Sequence, residues 1–150
     1  KAWGQHLLGE LLNPERLDWF DADSDLGIVG PPGSLHPMSL NLADNAEWLS
    51  SLCMGDSGKK QSLLTRQFIG GSMFVARTQA LVPLLSLGLM SDDFELESGQ
   101  LDGTLAHALE RWIGIVSAEN NYRLEQLKGD TKLIPKFGFD AASRLAPKQD

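Results

Sequence analysis

Two adjacent glycines, Gly70 and Gly71, interrupt the apolar segment Phe68-Ile-Gly-Gly-Ser-Met-Phe-Val-Ala76, and this interruption constrains the fold more than any other feature. Phe68, Ile69, Met73, Phe74 and Val75 predict a buried strand over Phe68 to Ala76. Glycine inside a strand weakens it and marks a bulge or a place where a ligand or a second backbone comes close. The strand is therefore expected to border a cleft at Gly70 and Gly71. Beyond Arg77 the chain passes through an apolar helix pattern and an acidic loop to Gly99-Gln-Leu-Asp-Gly-Thr-Leu-Ala-His-Ala-Leu-Glu-Arg111. A strand, a helix and a second helix that opens on an aspartate can line that cleft with backbone and one carboxylate.

A chain of 150 residues suits one domain, 1–150, with a tail over 135–150 expected to be poorly ordered. It begins at Lys1 rather than methionine and shows no secretory signal at that end, so it reads as a piece of a larger protein. Hydrophobic residues make up 42% and charged residues 22%, a soluble globular composition. No apolar run approaches the ~18 residues of a spanning helix. The net charge of −7 opposes a polyphosphate backbone and argues against nucleic acid as a partner. Cys53 is the sole cysteine, which rules out an internal disulfide and a cysteine-based metal cluster and fits a reducing compartment, the cytoplasm by default.

Helical spacing predicts helices over Ala2 to Leu12, over Pro14 to Phe20, over Asn41 to Met54 behind an Asn41 cap, over Gln79 to Leu87 with Leu81, Leu84 and Leu85 inward, and over Leu101 to Val116. Leu26 to Gly30 predicts a buried strand, and Tyr122 to Gln126 and Lys132 to Ile134 shorter ones. Gly30 to Leu40 is expected to be an irregular loop carrying His36, either a ligand contact or a surface residue. Gly55 to Gln61 reads as an exposed connection whose Lys59 and Lys60 either meet phosphate or are plain solvated surface. Phe94 is the expected anchor of the acidic loop Ser91 to Glu97. The fold class is α/β, with a small mixed sheet containing Leu26 to Gly30 and Phe68 to Ala76, flanked by several helices.

Asp21, Asp23 and Asp25 alternate like the start of a calcium loop, but Leu26 and Pro32 stand where such a loop needs glycine and an acid, so a polar turn is the competing reading. Ser72 is a poor hydrolase nucleophile, because Phe74 replaces the last glycine of Gly-x-Ser-x-Gly and no histidine is placed as its base. Asp102 projects on the apolar side of its helix at the helix start. It reads as an N-cap and as a carboxylate at the edge of the core facing the cleft, two readings that can both hold. His107 and Arg111 fall on the opposite, solvent side.

Leu26-Gly-Ile-Val-Gly-Pro-Pro-Gly33, Gly70-Gly-Ser-Met-Phe-Val-Ala-Arg77 and Gly99 to Arg111 together resemble the rhamnan synthesis protein F family, bacterial glycosyltransferases that build rhamnose-containing surface polysaccharides. The resemblance covers roughly residues 1 to 125. More distantly, the order is similar to the acceptor half of inverting GT-A glycosyltransferases, implying an architecture like the C-terminal half of a GT-A domain. Their acidic Glu-Asp motif is replaced here by Leu101-Asp102, so only the aspartate carries over.

The resemblance implies transfer of a deoxyhexose, L-rhamnose, from a nucleotide sugar to a glycan acceptor, with Asp102 as the catalytic base. Gly70 and Gly71 would admit the sugar to the backbone. Ser72 and Arg77 would add hydrogen bonds, Arg77 reading equally as a surface salt-bridge residue, and His36 is kept as a substrate contact. The metal-binding Asp-x-Asp of such enzymes would lie before Lys1. A divalent metal ion is thus implied for the full-length enzyme and none is evident within this chain. The implied location is cytoplasmic, at the inner face of the cytoplasmic membrane, with peripheral association through the full-length protein and no transmembrane segment. The competing reading is a non-catalytic carbohydrate-binding or assembly domain of a polysaccharide biosynthesis protein.

Overall fold

The computed structural model describes residues 9, 11–40, 42–53, 65–96, 98–100 and 102–129. The expectations for Ala2 to Leu12 (Gly9, Leu11 and Leu12 apart), Asn41, Gly55 to Gln61, Lys132 to Ile134 and the 135–150 tail lie outside those residues. Within them the chain is a mixed α/β fold with a small mixed sheet and several helices.

Helix α1 (Pro14–Ala22) opens on a proline, whose fixed φ and missing N–H suit the first helical position. The chain then turns at Asp23. One oxygen of its carboxylate accepts from the backbone N–H of Asp25 (3.1 Å), and the other pairs with Arg123 (2.7 Å). The Arg123 hydrogen bond holds the Asp23 carboxyl below the usual carboxylate range. A carboxylate oriented in this way makes the polar turn expected over Asp21 to Asp25.

Strand β1 (Leu26–Gly30) is buried at all five positions, as a strand covered on both faces must be. It is the centre of a three-stranded sheet, pairing antiparallel with β4 (Val75–Ala76) on one edge and parallel with β5 (Arg123–Gln126) on the other. A separate antiparallel ribbon joins β2 (Leu35–Pro37) to β3 (Gln67–Ile69), with His36 opposite Phe68.

Two expectations are corrected by this ribbon. Gly30 to Leu40 is not irregular throughout, because after the turn at Pro32 and Gly33 the chain makes β2 and then a 3-10 turn over Met38–Leu40. Three ladder positions with Pro37 at the end suffice for an edge strand. Phe68 to Ala76 is likewise not one bulged strand. Gly71 (φ 87°) and Ser72 (φ 51°) take left-handed backbone, which turns the chain out of the ribbon and delivers it to the other sheet.

Among the described residues the other helices are α2 (Ala46–Leu52), α3 (Thr78–Leu85) and α4 (Leu105–Glu119). A 3-10 turn over Ala43–Asn45 leads into α2. Helix α4 packs against β3, α2, α3 and β5. Its face carrying Ala108, Trp112, Ile115 and Val116 meets Phe68, Met38 and Leu49, with Cys53 packed alongside as a small apolar residue. Such side chains each contribute about 1.5–3 kcal/mol when fully buried. A second cluster, Ile28, Ile69 and Ala80, sits where the sheet, the ribbon and α3 meet, and a third gathers Leu11, Leu26, Val29 and Leu127. At Gly114 a Cβ would come within 2.3 Å of the Gln67 carbonyl oxygen, so α4 crosses β3 at a distance only glycine allows.

Three further details differ from expectation. Leu81 and Leu84 pack inward, but Leu85 is 83% exposed, because α3 ends there. Phe94 is 39% exposed, and the acidic loop is held by Glu95, whose two carboxylate oxygens lie 3.1 Å from the Leu105 backbone nitrogen. Arg111 is fully buried and not on a solvent face. Among the described residues no helix is long and apolar enough to cross a membrane.

Candidate functional site

The turn between β3 and β4 is the natural starting point, because its backbone is held from two sides. The Gly70 N–H donates to the Ser34 carbonyl (2.8 Å), tying the turn to the link between β1 and β2. A left-handed conformation at a non-glycine residue such as Ser72 costs of order 1–3 kcal/mol and persists where surrounding contacts enforce it. Glu110 on α4 supplies those contacts: its Oε1 accepts from the Gly71 N–H (2.6 Å) and from the Ser72 hydroxyl (3.2 Å).

Glu110 is connected inward. Its Oε2 lies 3.7 Å from Nη1 of Arg111, whose side chain is 0% exposed. Arg111 donates from Nη1 to the His107 carbonyl (2.7 Å), places Nη2 3.0 Å from Oδ1 of Asp102, and lies over the Phe68 ring with Cζ 4.9 Å from its centroid. The same Oδ1 accepts from Nδ2 of the buried Asn45 (2.7 Å). A buried guanidinium is tolerated only where charge and hydrogen bonds compensate it. Two carboxylates, one carbonyl and one aromatic face do so here.

Asp102 precedes α4 by three residues and is not its cap. Thr104, in extended backbone, is the N-cap, and its Oγ1 accepts from the His107 N–H (3.4 Å). The Asp102 side chain is 4% exposed. His36 packs on the other side of the turn: a Cβ at Gly70 would come within 2.8 Å of its Cδ2, and its ring lies 5.7 Å from that of Phe68. His36, Gly70, Gly71 and Ser72 are therefore brought together, and Asp102 reaches them through Arg111 and Glu110. Arg77 is placed elsewhere. Its guanidinium donates to the carbonyls of Phe20, Asp23 (3.1 Å) and Leu26 (3.3 Å), closing the C-terminal end of α1.

Burial, and secondarily the charge of Arg111, hold the His36 pKa below its ordinary value of 6.5. A depressed histidine pKa means that the unfolded chain binds the proton more readily. The stabilising contribution is then complete above 6.5 and lost as pH falls below it toward the folded-state value. Melting curves between pH 7.5 and 5 are expected to show a fall in midpoint that is smaller in His36→Asn. An equal fall in both proteins would assign the effect to other groups.

Glu110, Arg111 and Asn45 were not among the sequence candidates. A signal was present for Arg111, since Ala108, Arg111 and Ile115 lie on one helical stripe. Among the described residues no group of three or more His, Cys, Asp or Glu side chains could hold a metal ion. Asp102 and Glu110 are directed at Arg111, Asn45 and the turn, a donor set that does not fit a divalent cation, so no metal-dependent step is assigned to them.

Comparison with known proteins adds two curated relatives, each bearing the name "Uncharacterized protein WxcX", from two strains of Xanthomonas campestris pv. campestris. Each is 39% identical over 141 residues, a match that takes in 87% of this chain and 20% of the relative. The chain thus spans about a fifth of the length of these proteins. No family model matches the chain. No solved structure matches it.

Proposed function

We propose that the chain is the acceptor-side segment of a longer glycosyltransferase of the rhamnan synthesis protein F type, which transfers a deoxyhexose, L-rhamnose, from a nucleotide sugar to a growing cell-surface polysaccharide. The observation that carries the reading is the Glu110 carboxylate on Gly71 and Ser72 (2.6 and 3.2 Å), which joins two of the sequence blocks of the resemblance in one network with Asp102. In this reading the acceptor hydroxyl attacks the anomeric carbon as the bond to the nucleotide diphosphate breaks, and its proton passes to Asp102. That role requires hydrogen-bond reach. Arg111 and Asn45 fix the carboxylate, and the Gly70–Ser72 turn admits the sugar. Donor binding, and any metal ion it uses, belongs to the remainder of the protein, which works in the cytoplasm at the inner face of the membrane.

A second reading, a non-catalytic carbohydrate-binding or assembly domain, is favoured by the 4% exposure of the Asp102 side chain. Asp102→Asn in the full-length protein separates the two. Because Asn also weakens the pairing with Arg111, the rate is taken per folded molecule, with the folded fraction read by circular dichroism. Transfer of rhamnose from its nucleotide sugar is expected to fall on the order of a hundredfold or more, the scale of a lost base. A near-normal rate would leave Asp102 a structural residue and favour the binding module.

A further inference from the structure

A second concavity lies at the far end of β3 from the glycine turn. It is an open cleft of about 390 Å³ around the C-terminal end of α4, within the ~300–1,000 Å³ of small-ligand pockets. Its cause is visible in the chain. Gly114 lets α4 settle onto Gln67, Ala118 keeps the next turn low, and Asn121 (φ 63°) swings the chain away into β5. The opening is left between the start of β5, the start of β3 and the turn at Asp25. It is distinct from the Glu110 turn, since Gln67 and Gly70 lie at opposite ends of β3.

Its chemistry is mixed. Arg66, Gln67 and Asn121 bring donors to its lining and Asp25 brings acceptor oxygens, while the Tyr122 side chain packs against the Ile28, Ile69 and Ala80 cluster. No carboxylate among the described residues pairs with the Arg66 guanidinium, whose backbone carbonyl is held by the Met38 N–H (2.9 Å). Arg123 on the same rim is engaged by Asp23 (2.7 Å) and Glu125 (2.8 Å). An anion is disfavoured by Asp25, by the carbonyl end of α4 and by the net charge of −7. A cation is opposed by the Arg66 guanidinium, since the charge of Arg123 is already met by Asp23 and Glu125. What remains suited to donors and acceptors in one concavity is a neutral polyhydroxyl molecule.

We infer that this cleft is a sugar-binding site, separate from the Gly70–Ser72 turn and contacted by Arg66, Gln67 and Asn121. The choice of a sugar among polyhydroxyl ligands rests on the proposed function. The position of the site rests on the cleft alone.

The test is a titration of the ¹⁵N-labelled chain with L-rhamnose, followed by backbone amide shifts, with inorganic phosphate as a parallel arm. Saturable shifts at Gln67, Asn121 and Tyr122 are expected, and weakening by roughly tenfold in Arg66→Ala and in Asn121→Gly, the scale of one lost hydrogen bond to a ligand. Glycine accepts the backbone of position 121, so that variant retains the fold if Arg66→Ala does not. Saturation by phosphate in place of the sugar, an absence of saturable shifts, or unchanged affinity in the folded variants would overturn the site. Shifts confined to residues 70–72 would also overturn it while leaving the acceptor reading in force. Loss of transfer in Asp102→Asn bears on that reading only.

Discussion

Replacing Arg111 with methionine is expected to destabilise the fold by about 3–5 kcal/mol, the usual cost of removing one partner from a buried ion pair. The side chain is wholly buried, and Asp102 Oδ1 lies 3.0 Å from its Nη2. Without the guanidinium, Asp102 keeps its hydrogen bond from Asn45 but loses its countercharge in a medium of low polarity. Glu110 loses a neighbour too, at the moment it must still hold a left-handed serine. For a domain whose whole stability is ~5–15 kcal/mol, this is a large fraction. Urea unfolding followed by circular dichroism would measure it. The companion variant Arg111→Met with Asp102→Leu should recover much of the loss, because an apolar pair of similar volume replaces an ion pair at little cost. Arg111→Lys is expected to fall between, since one ammonium cannot serve Asp102, Glu110 and the His107 carbonyl with the geometry of a planar fork. A loss below about 1 kcal/mol in Arg111→Met would show the pair to be no more than a surface contact in energetic terms.

Phe68→Ala is expected to cost a comparable 3–5 kcal/mol, by lost burial and by the cavity left behind. Phe68 has no exposed surface and packs with Met38, Leu49, Trp112 and Ile115. It also supports Arg111, which lies over its ring with Cζ 4.9 Å from the centroid. The two positions should therefore couple. In a double-mutant cycle with Arg111→Met, the pair is expected to lose less than the sum of the single changes, by up to about 2 kcal/mol for a desolvated cation over a ring. Additivity within ~0.5 kcal/mol would mean that the ring merely fills space.

Much of the fold was legible because local patterns and tertiary context agree. The run Leu26 to Gly30 is apolar throughout and lies buried at the centre of the sheet, and the helix period of Leu105 to Val116 survives in α4. The failures occur where long-range contacts decide. Nothing local shows that Leu35 to Pro37 pairs with a strand some thirty positions later, or that two apolar halves around Gly70 and Gly71 enter different sheets. Paired glycines point to a bulge or a close approach of ligand or backbone, and a chain reversal uses the same conformational freedom. The helical phase counted from Asp102 puts Arg111 opposite the apolar stripe, which means solvent only where a helix has one buried face. Helix α4 is covered by β3, α2 and α3, so an arginine on its flank is enclosed and recruits carboxylates.

The parallel pairing of β1 with β5 has a consequence for how the chain folds. Leu26 and Arg123 come from opposite ends of the described region, with the ribbon and helices α2 to α4 between them. Closing so long a loop is entropically costly, and topologies dominated by distant pairings fold slowly. Until β5 arrives, the most apolar strand has one unpaired edge, and such edges associate with other chains. Refolding yield should thus decline with protein concentration. In the cell, β1 emerges from the ribosome nearly a hundred residues before the strand that shields it.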